Sequence, residues 1–91
     1  MTGTRTYFRP MTAPTGITAI GATADSIAVN GRDITFINVS GNIWINPVAT
    51  AVANATALKL VAGDSIDMNV RSSLSIISDG DGGTYQIIYW D

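Results

Sequence analysis

Two carboxylates one residue apart on a glycine-rich stretch, Asp79-Gly80-Asp81-Gly82-Gly83, form the string best able to hold chemistry, because such a loop could present oxygens to a calcium ion. A complete calcium loop needs further oxygen donors and a closing glutamate, and the chain contains no Glu. A hairpin loop accounts for the same five residues through positive φ at glycine and Asx turns at aspartate. The string is read as a turn, with no metal site. Asp67, Asp79 and Asp81 could in principle supply a glycosidase pair, but that chemistry also needs a cleft several sugars wide, for which 91 residues leave little room. With no His and no Cys, no serine has an imidazole base and no thiol can act as nucleophile. Neither G-x-S-x-G, nor a phosphate-binding loop, nor a dinucleotide fingerprint is present. The expectation is a protein without catalytic activity and without a cofactor.

The remaining side chains with recognition potential are aromatic. Trp44 alternates with Ile43 and Ile45 and shares its strand face with Asn42 and Asn46, so an isoleucine core would turn the indole outward. There it would either contact another molecule or cover a bare sheet face. Tyr85-Gln86-Ile87-Ile88-Tyr89-Trp90 is apolar on both faces; such a strand is either central in its sheet or covered by another subunit. Trp44, Tyr89 and Trp90 are therefore the candidates for a subunit interface. Near the N-terminus Tyr7 and Phe8 lie between Arg5 and Arg9, and these four are the candidates for contact with a larger partner.

The elements that must position these groups follow from a two-residue period beginning at Ile17. Apolar and polar residues alternate through Ile34, Phe36 and Asn38, through Ile43 and Ile45, and through Ile66, Met68 and Val70. The pattern predicts strands at about 16–20, 26–29, 33–39, 42–46, 57–61, 65–70, 74–78 and 84–90. Turn signals separate them: Asn30-Gly31 fits a type I′ hairpin, Ser40-Gly41 and Gly63-Asp64 fit tight connections, and 79–83 fits a longer loop. Seven to eight short strands predict an all-β fold, an antiparallel β-sandwich or barrel. Residues 47–57 could start a helix at Asn46-Pro47, but interspersed Val, Thr and Asn favour a long Ala/Thr loop. Residues 1–16, with Pro10 and Pro14, read as an extended N-terminal arm ahead of a domain at 17–91, either frayed or lying on a partner.

Composition sets the class of partner. Only 13% of residues are charged, with one lysine, while eleven Thr, seven Ser and six Asn supply uncharged polarity that is less costly to desolvate at a protein contact. The net charge of −2 and the five basic residues give no footprint for tracking phosphates, so nucleic acid is not an expected partner. No apolar run approaches the ~18 residues of a membrane span, so no membrane partner is expected, and no charged-then-apolar leader indicates export.

The run Ile34-Thr35-Phe36-Ile37-Asn38-Val39-Ser40-Gly41-Asn42-Ile43-Trp44-Ile45, an Ala/Thr loop, Leu58-Lys59-Leu60-Val61-Ala62-Gly63-Asp64-Ser65-Ile66, and Leu74-Ser75-Ile76-Ile77-Ser78 together resemble the small β-sandwich virion proteins of tailed bacteriophages. Their pattern is an I-x-N-x-S strand, an I-x-I or I-Y-V strand, an L-x-A-G-x-S-I hairpin and an I-x-A-I-S strand, and the resemblance spans about 17–90. It implies a structural role: a capsid decoration (cement) or head-fibre protein that docks on the major capsid protein lattice at the capsid exterior, commonly as a homotrimer. The alternative it leaves is a tail, baseplate or host-recognition module of the virion. The first fourteen residues fall outside the pattern.

Overall fold

The computed structural model describes residues 11–53 and 57–90. Among them are nine strands: β1 Met11–Pro14, β2 Thr18–Ile20, β3 Asp25–Ala28, β4 Asp33–Ser40, β5 Ile43–Asn46, β6 Leu58–Leu60, β7 Ser65–Asn69, β8 Ser73–Ser78 and β9 Gly83–Trp90. β1 and β2 run end to end along one edge of β9, with Met11 opposite Trp90 and Ile20 opposite Gly83. They therefore fill a single position in sheet A, whose order is β1/β2, β9, β4, β7; sheet B has the order β3, β8, β5, β6. All pairings are antiparallel. The all-β sandwich expected from the two-residue period is the observed fold, and all eight expected strands are present.

The strand order adds what periodicity does not carry. Every connection from β2 to β9 except β5–β6 passes from one sheet to the other. Two four-position sheets linked in this way have the order of an eight-stranded jelly roll. Asn30-Gly31 forms the anticipated turn, with φ of 56° and 83° and Arg32 N–H donating to Val29 O at 3.3 Å, yet it is not a hairpin. Its flanks, β3 and β4, belong to different sheets, and Val29 N–H and Asn30 N–H both donate to Ser72 O. Gly63, at φ 91°, closes a similar turn between β6 and β7, with Asp64 N–H donating to Val61 O at 3.0 Å, and the hairpin expected there is likewise corrected, since β6 and β7 lie in different sheets.

The core lies between the sheets. Ile34 and Phe36 on β4, Tyr85 and Ile87 on β9, Ile43 and Ile45 on β5, and Leu74 and Ile76 on β8 alternate inward, and Phe36 stacks on Tyr85 with ring centroids 5.3 Å apart. β-branched and aromatic side chains suit both the pleat and the burial. Each inward side chain of this size is worth roughly 1.5–3 kcal/mol of transfer free energy.

Asn38, at the end of this inward row, is fully buried and ties the two sheets together. Its Nδ2 donates to Gly41 O and Leu60 O, each at 2.8 Å, while its backbone accepts from Gly63 N–H and donates to Asp64 O. Beside it the β4–β5 crossover touches the β8–β9 loop so closely that a Cβ on Gly41 would sit 2.3 Å from Gly82 O.

The boundary placed after residue 16 is corrected by the ladder. β1 pairs with β9, Thr15 N–H donates to Ile87 O and Gln86 Nε2 donates to Thr15 O, so residues 11–16 belong to the sandwich. Pro14 is accommodated because β1 is an edge strand, where a missing N–H costs least.

Candidate functional site

Sequence reasoning placed Trp44 outward, and its parity is indeed opposite to that of Ile43 and Ile45; the exposure that should follow is absent. Trp44 is 3% exposed. β5 is an interior strand, with Lys59 of β6 and Ile77 of β8 directly across from Trp44, and the Lys59 Nζ lies 5.6 Å from the indole centroid. The loop after β5 also turns back over this face. Asn46 Oδ1 accepts the N–H groups of Val48 and Ala49 at 2.9 Å each, and Ala51 N–H then donates to Ser75 Oγ at 2.9 Å, burying Ala51. The Asn46-Pro47 start thus makes a helix-like cap, but no helix follows among the described residues. Trp44 is a packing residue, not a subunit contact.

Tyr89 is half-buried, packed against the core, with Arg32 Cζ 4.8 Å from its ring centroid. Among the three aromatic interface candidates, Trp90 alone is left on an outer face with part of its surface open. Arg5, Tyr7, Phe8 and Arg9 lie outside the described residues.

β9 is central, flanked by β1/β2 and β4, which accounts for its two apolar faces. Its outward residues Gln86, Ile88 and Trp90 are each partly buried on the outside of sheet A. Trp90 Nε1–H donates to Thr35 Oγ1 on β4 at 2.8 Å, and the Thr35 hydroxyl donates to Asp67 Oδ1 on β7. This relay spans three neighbouring strands and sets the direction of the indole along the sheet. In the row beside it, Asp33 is opposite both Trp90 and Asn69, and Asn69 Nδ2 donates to Asp33 Oδ1 at 2.8 Å and to Gly31 O at 2.6 Å. Sequence periodicity alone misses this constellation, because β4, β7 and β9 become neighbours only through strand order. The detectable signal was the two-residue parity shared by Thr35, Asp67 and Trp90 within their own strands.

At 79–83 the geometry is that of a turn, though not of the expected hairpin, since β8 and β9 lie in different sheets. Asp81 N–H donates to Asp79 Oδ1 at 3.0 Å and Gly82 N–H to Asp79 O at 3.0 Å, which is an Asx turn with Gly82 at φ 75°. No group of three or more acidic, His or Cys side chains suited to a metal lies together among the described residues. Among the described residues are two open depressions, of about 250 Å³ against Ser26, Thr50, Ser73 and Ser75, and of about 310 Å³ against Ser40, Asp81, Gly83 and Thr84. Asp81 is the one titratable group lining either, so neither brings together an acid and a base. No helix among the described residues is long and apolar enough to cross a membrane.

No family model matches the sequence, and no match is found among curated proteins. Among solved structures the chain is similar to the crystal structure of protein NMB1881 from Neisseria meningitidis, with a TM-score of 0.62 at 11% identity over 93% of this chain and 85% of that one. At that identity the likeness is one of fold, and the fold it shares is the sandwich described above.

Proposed function

We propose that this protein is a non-enzymatic structural component of a tailed-bacteriophage virion, docking on the assembled lattice of the major capsid protein at the capsid exterior as a homotrimer. The observation that carries the reading is the jelly-roll strand order, an architecture used repeatedly for capsid and lectin modules, in a chain that also carries the phage-type strand pattern over 17–90. A lattice supplies many equivalent sites, and a protein that binds only the assembled form stabilises it at each of them. Three linked copies engage such a lattice at high effective concentration, so modest contacts suffice. Arg5, Tyr7, Phe8 and Arg9 remain the proposed shell contacts. A tail, baseplate or host-recognition module of the virion is the alternative that the resemblance leaves.

Purified protein mixed with undecorated shells at about 10 μM should co-sediment with them. Folded protein that stays entirely in the supernatant would overturn the proposal. Its copy number in intact particles should scale with the number of lattice sites and not with the single tail.

A further inference from the structure

We propose that the outer face of sheet A around Trp90 is a binding surface for a neutral polysaccharide, with one pyranose ring seated on the indole. A pyranose presents a C–H face that is effectively apolar, ringed by hydroxyls that need partners; a complementary site therefore pairs an aromatic plane with carboxylate and amide groups at its margin. Trp90, with Asp33, Asp67 and Asn69 beside it, supplies that combination. The indole is oriented in advance by its bond to Thr35 Oγ1 at 2.8 Å and by the onward bond from Thr35 to Asp67 Oδ1, so little side-chain entropy remains to be lost on binding.

Charge narrows the ligand. The outward residues of β4, β7 and β9 include Asp33 and Asp67 and neither Lys nor Arg, which disfavours anionic sugars, phosphates and nucleic acid and leaves hydroxyl donors as the natural partners of the carboxylates. Shape narrows it further. Trp90 lies on the outside of sheet A, where a monosaccharide would bury little of itself; a chain of sugars extends the contact along the strands toward Ile88 and Ile37.

The test is a ¹H–¹⁵N titration of the full-length protein with a panel of neutral hexasaccharides: the β-1,4-linked glucose, mannose, xylose and N-acetylglucosamine series and β-1,3-linked glucose. Its two indole N–H signals report on the site, Trp90, and on the buried control, Trp44. At least one ligand should shift the Trp90 indole signal and the Asp67 and Asn69 amides, saturating with a Kd of about 0.1–1 mM, with the Trp44 indole unmoved. Trp90→Ala should weaken that binding by at least about tenfold while the Trp44 indole signal still reports a folded protein. Thr35→Val, which keeps the shape but loses the hydroxyl relay, should weaken it severalfold. A folded protein whose Trp90 signal is unmoved by every ligand, or whose shifts lie elsewhere, overturns the proposal. The titration needs no shells and the sedimentation needs no saccharide, so this inference and the capsid reading can fail independently.

Discussion

Gly41 and Gly31 share a left-handed backbone, at φ 76° and 83°, but not a neighbourhood. A Cβ at Gly31 meets nothing within 4 Å, whereas at Gly41 it would lie 2.3 Å from Gly82 O and 2.8 Å from Gly83 Cα. Gly31→Ala should therefore cost about 1 kcal/mol of backbone strain, and Gly41→Ala more than about 3 kcal/mol, since rigid backbone on both sides must give way. Urea unfolding of the two variants checks the difference. Asn38→Ala leaves Gly41 O and Leu60 O without their side-chain donor in a buried place and should cost about 2–4 kcal/mol in the same assay. Tyr85 is the one described group whose ionisation the fold clearly perturbs: burial, then the charge of Asp25 and then Tyr89, push its phenol above its ordinary value of 10.0. The native state thus holds this proton at pH values where the unfolded chain has released it. The associated stability is complete below the unfolded pKa of about 10 and is lost as pH rises through the higher folded value. Alkaline stability curves should show this decline, and Tyr85→Phe should flatten it.

At the scale of elements, β5 shows how strand parity and burial separate. Alternation assigned Trp44 to the face opposite Ile43 and Ile45, and that assignment holds; only a long-range event, the return of the 47–53 loop to Ser75, together with the neighbours Lys59 and Ile77, decides whether that face meets water. Trp44→Ala should accordingly behave as a core truncation and cost about 3–5 kcal/mol by urea unfolding. The same distinction explains the turns. Asn30-Gly31 and Gly63-Asp64 were legible because positive φ is a local demand, but local chemistry does not say whether the chain then pairs back on itself or crosses to the opposite sheet. Strand positions were likewise legible from period, while the Trp90–Thr35–Asp67 relay was not, since it requires knowing that β9 and β7 flank β4.

For the whole molecule, the start of the sandwich at Met11 changes what truncation should do. Removing residues 1–10 takes away none of the described pairing, and the melting temperature should stay within a few degrees of the full chain. Removing residues 1–15 strips β1 and the Thr15 bonds to Ile87 and Gln86, leaves half of β9 as an open edge, and should lower the melting temperature by roughly 10 °C or more and promote aggregation. The 46% apolar composition and regular strand spacing foreshadowed the sandwich; the sheet order did not follow from them, because any of several orders buries the same alternating residues.

Because β9, the last strand in sequence, occupies an interior position of sheet A, and because six of the links between β2 and β9 change sheet, no early portion of the chain can assemble as a self-contained unit. A nascent polypeptide on the ribosome must keep β1, β2 and β4 unpaired with their central partner until residue 90 has cleared the exit tunnel. Folding is thereby deferred until β9 has emerged and proceeds through contacts distant in sequence, at the slow end of the range for small domains.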